Sequence, residues 1–223
     1  SRALWHQYLA QTHDVVVVSV DNRGTGGRGK AFQDVPYRQL GQPEAADQVR
    51  AAQALADSAW VDADRIGIWG WSYGGYMTLL SMLKDDGPTT FNTGVSVAPV
   101  TDWRLYDTIY TERYMAPPQR NADGYKNGAP LTYADRLRED QHLLMVHGDD
   151  DDNVHFQNSV QMVNRLQAAN KQFRFMMYPT HEHGIAGGNT RLHLFTMITD
   201  MVTEHLAPVS EMGTAQMEEA AGR

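Results

Sequence analysis

Short apolar runs alternate along this chain with longer stretches of helical spacing. Residues 15–20, 65–69, 93–97, 142–146 and 173–178 read as strands. Residues 43–58, 76–83, 156–169 and 190–206 read as amphipathic helices between and after them. Strands alternating with helices predict an α/β architecture, a mostly parallel sheet with helices on both faces. The unbroken valines 15–18 suit a strand buried on both sides, and Pro43 suits the first turn of its helix, where a missing N–H costs nothing. Two regions break the alternation. Residues 101–135 are long and aromatic, with Trp103, Tyr106, Tyr110, Tyr114, Tyr125 and a Pro117-Pro118 pair, and a segment of that length between strands covers a site. Residues 208–223 are small, polar and acidic and read as a disordered tail, leaving 1–207 as one domain.

Composition narrows the function classes. With 223 residues, 42% hydrophobic and 21% charged, the chain has the balance of a globular domain with a substantial core. A net charge of −8, with no stripe of Lys and Arg, argues against a nucleic-acid partner. The absence of cysteine excludes disulfides and thiolate metal sites. No 18-residue apolar run is present, so no membrane span is expected. Ser1-Arg2-Ala3-Leu4-Trp5 does not read as a signal peptide and looks like a point inside a longer chain.

The chemistry begins at Gly70-Trp71-Ser72-Tyr73-Gly74, directly behind an apolar strand and ahead of a helical stretch. A G-x-S-x-G on a strand-to-helix turn thrusts the serine hydroxyl out at the end of a sheet, with glycines on both sides of the tight backbone. Ser72 is therefore the candidate nucleophile. Such a serine needs a base and an orienting carboxylate, which in α/β-hydrolases follow in the order acid, then histidine, on loops after later strands. The strand ending near His147 leads into Asp149-Asp150-Asp151-Asp152-Asn153, and the next leads into His181-Glu182-His183-Gly184. His183 is favoured over His181 because Gly184 permits a close approach. Among the acids one of Asp149–Asp152 suffices, with Asp102 a rival after residues 93–97.

Two other patterns fail. The alternation Asp149, Asp151, Asn153 suggests a calcium loop, but its sixth and twelfth positions hold Val154 and Val160 instead of glycine and glutamate, so no metal is expected. Gly24-x-Gly26-x-x-Gly29 matches a dinucleotide fingerprint but runs into Phe32 and Pro36 instead of a helix. A flexible surface turn is expected there, and no cofactor.

Longer blocks carry a resemblance. Asp21-Asn22-Arg23-Gly24, Gly70-Trp71-Ser72-Tyr73-Gly74-Gly75-Tyr76, Ala98-Pro99-Val100, Tyr110-Thr111-Glu112-Arg113-Tyr114-Met115, Asp151-Asp152-Asn153-Val154-His155-Phe156-Gln157 and His183-Gly184-Ile185 occur in order. Over residues 5–206 the chain resembles the catalytic domain of the prolyl oligopeptidase family, in its dipeptidyl peptidase branch with bacterial members. The resemblance implies an α/β-hydrolase fold lacking its first strands. It implies Ser72 as nucleophile, Asp151 as orienting acid, His183 as base and the Tyr73 N–H as an oxyanion donor. It also implies a small aromatic pocket for a proline ring, from Val100, Trp103, Tyr106, Tyr110 and Val154 with Tyr76 nearby, and Asn153 on the substrate backbone.

The implied activity is hydrolysis of peptides after an N-terminal X-Pro or X-Ala pair. A carboxylesterase of loose specificity and an inactive truncated domain are the alternatives. A β-propeller that anchors the substrate's amino terminus, and a second oxyanion donor, are expected outside this sequence. A homodimer and a periplasmic or secreted setting follow from the resemblance alone.

Overall fold

The computed structural model describes residues 2–208, so the tail expected at 208–223 lies, from 209 on, outside the described residues. Strands β1 (Gly67–Trp71), β2 (Thr93–Val97), β3 (His142–Gly148) and β4 (Arg174–Tyr178) form one parallel sheet in that order. Helix α1 (Arg2–His13), the single turn α2 (Lys30–Gln33) and α3 (Gln42–Ala56) precede the sheet. Helix α4 (Tyr73–Leu83) and the short α5 (Gly87–Thr90) connect β1 to β2. The long β2–β3 connection holds α6 (Thr108–Met115), α7 (Ala122–Asn127) and three stretches of 3₁₀ helix; α8 (Gln157–Ala168) joins β3 to β4, and α9 (Thr190–Leu206) follows β4.

The period-2 pattern of β3 separates two cores. Leu143 and Met145 enter one with Leu40, Leu79, Leu80, Met82, Met162 and Leu166, which come mainly from α4 and α8. Leu144 and Val146 enter the other with Leu9 of α1 and Leu194, Ile198, Met201 and Val202 of α9. Full burial of each such side chain contributes about 1.5–3 kcal/mol. Small residues let α4 press onto the sheet. A Cβ on Gly94 would lie 1.9 Å from Met82 Sδ, and one on Gly75 would lie 2.5 Å from the Val97 carbonyl oxygen. Ser96 Oγ donates to the Gly75 carbonyl at 2.9 Å. The helix behind the candidate nucleophile is thus fixed at its root.

Most predicted elements are found, with three differences. Residues 15–20 form no regular element and belong to no sheet, although their composition suits a central strand. Val15 and Val17 pack on the second core, while Val16 and Val18 are 61% and 50% exposed. A ladder needs a partner strand about 4.8 Å away. Here a cleft of about 1160 Å³, lined by residues 14–20 and 65–71, separates the run from β1.

The second difference is α1, which carries no strong periodic signal. Trp5 anchors it, packing edge-on to Trp69 with ring centroids 4.9 Å apart and donating from Nε1 to Thr199 Oγ1 at 2.9 Å. The third is the Gly24–Gly29 turn, expected to open no helix, which leads directly into the single turn α2 at Lys30; the residue just before it is tied to α3. Arg23 grips Asp47 through Nε to Oδ2 at 2.8 Å and a second guanidinium nitrogen to Oδ1 at 2.7 Å.

Candidate active site

A parallel sheet delivers the loops behind β1, β2, β3 and β4 to one edge. At the first, Ser72 has φ 62° and ψ −119°. That is left-handed backbone for a residue with a Cβ, costing about 1–3 kcal/mol, and it is held by the Ser72 N–H to Val97 carbonyl bond at 2.8 Å. A Cβ on Gly70 would lie 2.4 Å from the Gly74 carbonyl, so the turn requires glycine there. Gly74 itself has open space around a Cβ. The second steric glycine is Gly75, against β2. Tyr73 is the first residue of α4, and its N–H has no acceptor among the described residues. It is a free donor at the positive end of a helix, beside the serine.

The acid and base loops meet. His183 Nδ1 donates to Asp151 Oδ2 at 2.7 Å. Asp151 is 4% exposed, and its other oxygen, Oδ1, accepts the N–H groups of Asn153 at 3.0 Å and Val154 at 2.9 Å. Burial alone would push the Asp151 carboxyl up. The hydrogen bonds from His147, His183 and Val154 outweigh it and hold the group well below the usual carboxylate range. Trp71 Nε1 donates to the His183 carbonyl at 3.0 Å, tying the histidine loop to the residue before Ser72. Among the described residues no hydrogen bond joins Ser72 Oγ to His183 Nε2, whereas His183 Nδ1 is taken by Asp151.

The rivals sit elsewhere. Asp102 caps a 3₁₀ turn, accepting from the Arg104 N–H at 2.9 Å and its guanidinium at 2.8 Å. Asp149 accepts from the Thr180 N–H, tying the two loops together from outside. His181 is engaged by the Pro179 carbonyl at 2.7 Å and Thr190 Oγ1 at 3.0 Å. Gly184, expected to allow a close approach, has room for a side chain; the close approach is at Gly148, where a Cβ would lie 2.1 Å from the His181 carbonyl oxygen.

Residues 1–208 match the prolyl oligopeptidase family. The chain belongs to that family. It is similar to dipeptidyl peptidase 4 of Felis catus, 42% identical over 205 residues that make up 91% of this chain and 26% of that protein. It is also similar to a probable dipeptidyl-aminopeptidase B of Arthroderma gypseum, 46% identical over 179 residues, 80% of this chain and 19% of that protein. Among solved structures, Porphyromonas gingivalis dipeptidyl peptidase 4 superposes with a TM-score of 0.86 at 47% identity, covering 91% of this chain and 28% of that one. This chain therefore spans about a quarter of the length of these relatives or less. The α/β-hydrolase fold expected from the motifs is the fold of this family.

Beside the family's serine turn, the long β2–β3 connection builds an aromatic box. Trp103 stacks on Tyr110 at 5.8 Å and meets Tyr76 and Tyr106 edge-on at 5.0 and 5.9 Å. Tyr106 and Tyr110 are half-buried, whereas Trp103, Tyr76, Val100 and Val154 are buried. Burial pushes the Tyr110 phenol up to about 12. Asn153, exposed at the rim, accepts from the Tyr106 hydroxyl at 2.7 Å.

Three participants were not read from the sequence. The Tyr73 ring belongs to the box, 5.3 Å from Tyr76 and 5.8 Å from Trp103, so this residue contributes both its amide and its side chain. Its hydroxyl donates to Glu44 Oε1 at 2.6 Å, and burial raises the Glu44 pKa against the opposing effect of that bond. Nothing in the first turn of α3 marks Glu44 as buried. His147 is the third; a polar residue closing the apolar run Leu143-Leu144-Met145-Val146 must find a buried partner, which is the signal that could have found it. Among the described residues no cluster of His, Asp and Glu suits a metal ion, and no helix is long and apolar enough to cross a membrane.

Proposed function

We propose that this chain is the catalytic domain of a serine dipeptidyl peptidase that cleaves after an N-terminal X-Pro or X-Ala pair. The observation that carries the reading is the 2.7 Å His183–Asp151 bond on a loop tied by Trp71 Nε1 to the residue before a serine held at φ 62°. Ser72 Oγ attacks the scissile carbonyl carbon while His183 Nε2 takes its proton. The oxygen anion of the tetrahedral intermediate points at the free Tyr73 N–H. Collapse expels the amine, which receives the proton from His183 and leaves an acyl-Ser72 ester; water then repeats the sequence. Asp151 keeps the imidazole in the tautomer that leaves Nε2 open to the serine.

Support for proline comes from the box of Tyr73, Trp103, Tyr106 and Tyr110, whose faces suit a flat apolar ring. Asn153 at the rim would meet the substrate backbone. Recognition of the free amino terminus is assigned to a β-propeller of the parent chain, in keeping with relatives about four times as long. Pairing with a second copy would cover exposed apolar residues such as Val16 and Val18. The open cleft behind Ser72 supports a second reading, a carboxylesterase, since an ester's better leaving group needs less oxyanion stabilisation. Turnover of a prolyl anilide against a short-chain nitrophenyl ester, with Ser72→Ala as control, separates the two. The peptidase reading expects both substrates to be cleaved by the parent protein; cleavage of the ester alone supports the esterase.

A further inference from the structure

One buried histidine remains outside this mechanism. His147 is 0% exposed near the end of β3, and its ring is fully engaged. Nε2 lies 2.8 Å from the Val154 carbonyl oxygen and 3.1 Å from Asp151 Oδ2; Nδ1 lies 2.7 Å from Ser159 Oγ on α8. The partners fix the tautomer. A carbonyl and a carboxylate held well below its usual range can only accept, so Nε2 carries the proton and shares it between them. Ser159, also 0% exposed, completes the arrangement by donating its hydroxyl proton to Nδ1. Phe156 closes the ring edge-on, with centroids 5.6 Å apart.

We propose that His147, locked by Ser159, is a positioning residue that sets both the orientation and the hydrogen-bonding strength of Asp151. The carboxylate has about four acceptor positions. They are filled by the N–H groups of Asn153 and Val154 on Oδ1, and by His147 and His183 on Oδ2. Two histidines therefore draw on the same oxygen from opposite sides. His147 holds that oxygen towards His183, and it also withdraws part of the negative charge that His183 would otherwise feel. This extends the proposed triad to an ordered chain, Ser159–His147–Asp151–His183. Among the described residues Asp151 is the ionisable group paired with His147, and it is paired in turn with His183.

This inference rests on the peptidase reading for its kinetic consequence, but its hydrogen bonds can be tested without turnover. In ¹⁵N-histidine spectra of the wild-type chain, His147 is expected as the Nε2–H tautomer, with a low-field proton distinct from that of His183 Nδ1–H. An Nδ1–H tautomer for His147 would overturn the proposal. His147→Leu should lower kcat by roughly 10–100-fold, the effect of one hydrogen bond to a charged group, with KM nearly unchanged. It should also move the acid limb of the pH–kcat/KM profile to higher pH, because Asp151 then concentrates its charge on His183. His147→Gln, which can place an amide N–H near the same oxygen, should restore much of both.

Should His147→Leu fail to fold, Ser159→Ala carries the test. It should lower kcat a few-fold and shift the His147 ring signals while leaving KM in place. A kcat and pH profile equal to wild type in Ser159→Ala and in a folded His147→Leu would sink the positioning role. If wild-type protein does not react with a fluorophosphonate at Ser72 yet His147 shows the expected tautomer, the peptidase reading fails and the hydrogen-bond assignment stands.

Discussion

The two sides of the site differ in how completely the chain builds them. On the acid–base side, behind β3 and β4, Asp151 meets four donors and His147 is satisfied on both ring nitrogens. On the nucleophile side, the Tyr73 N–H has no acceptor and a cleft of about 1160 Å³ opens between β1 and residues 15–20. Residues 15–20 there belong to no sheet. Buried polar groups must be paired, so the saturated side is rigid without outside help. The comparison sets a saturated acid–base cluster against a nucleophile side with an unpaired donor and an open cleft.

The largest effect should come from the saturated side. Asp151→Asn keeps the shape of the side chain but turns an all-acceptor group into one with N–H donors, spoiling the His183 tautomer. Turnover of the ester substrate should fall by about 10⁴. A loss under tenfold would mean that Asp151 does not orient the base.

Hydrogen exchange probes the contrast itself. Amides of Val95, Leu144 and Val146 lie in paired, buried strands, whereas those of residues 16–19 have no backbone acceptor. Protection should differ by at least about 10³, from near-global unfolding to almost none. Equal protection would show that residues 15–20 are paired in solution.

The smallest effect is on acid stability. The Asp151 pKa is depressed in the folded state, so its stabilisation is present above about pH 4 and is lost as pH falls below that value. In urea unfolding, the stability gap between wild type and Asp151→Asn should therefore narrow from pH 7 to pH 3. A gap that widens towards low pH would reverse the sign argued here.

Much of this was legible because periodicity and motif spacing agree. Helices α8 and α9 lie within a residue of their predicted spans, and the order of serine, acid and histidine loops is the order along the sheet. Boundaries shifted where tertiary contacts overrode propensity. The first sheet strand runs on to Trp71 because that residue pairs with Val97. Helix α4 starts at Tyr73, three residues before its periodic pattern, because Gly74 and Gly75 hide a helix that packing against β2 enforces. The valine run misled because composition reports a strand's environment but not whether its neighbour is present. Glu44 was invisible for a related reason, since its role depends on a partner 29 residues away that only the fold brings into contact, whereas His147 left a signal in the apolar run it closes.

The central claim is that Ser72 is a nucleophile activated through His183 and Asp151. Incubating the folded chain with a fluorophosphonate probe and mapping the modified peptide tests it most directly. The account predicts one adduct, on Ser72, absent in Ser72→Ala and strongly slowed in Asp151→Asn. No adduct on the folded chain, or one that persists when Ser72 is alanine, would contradict it.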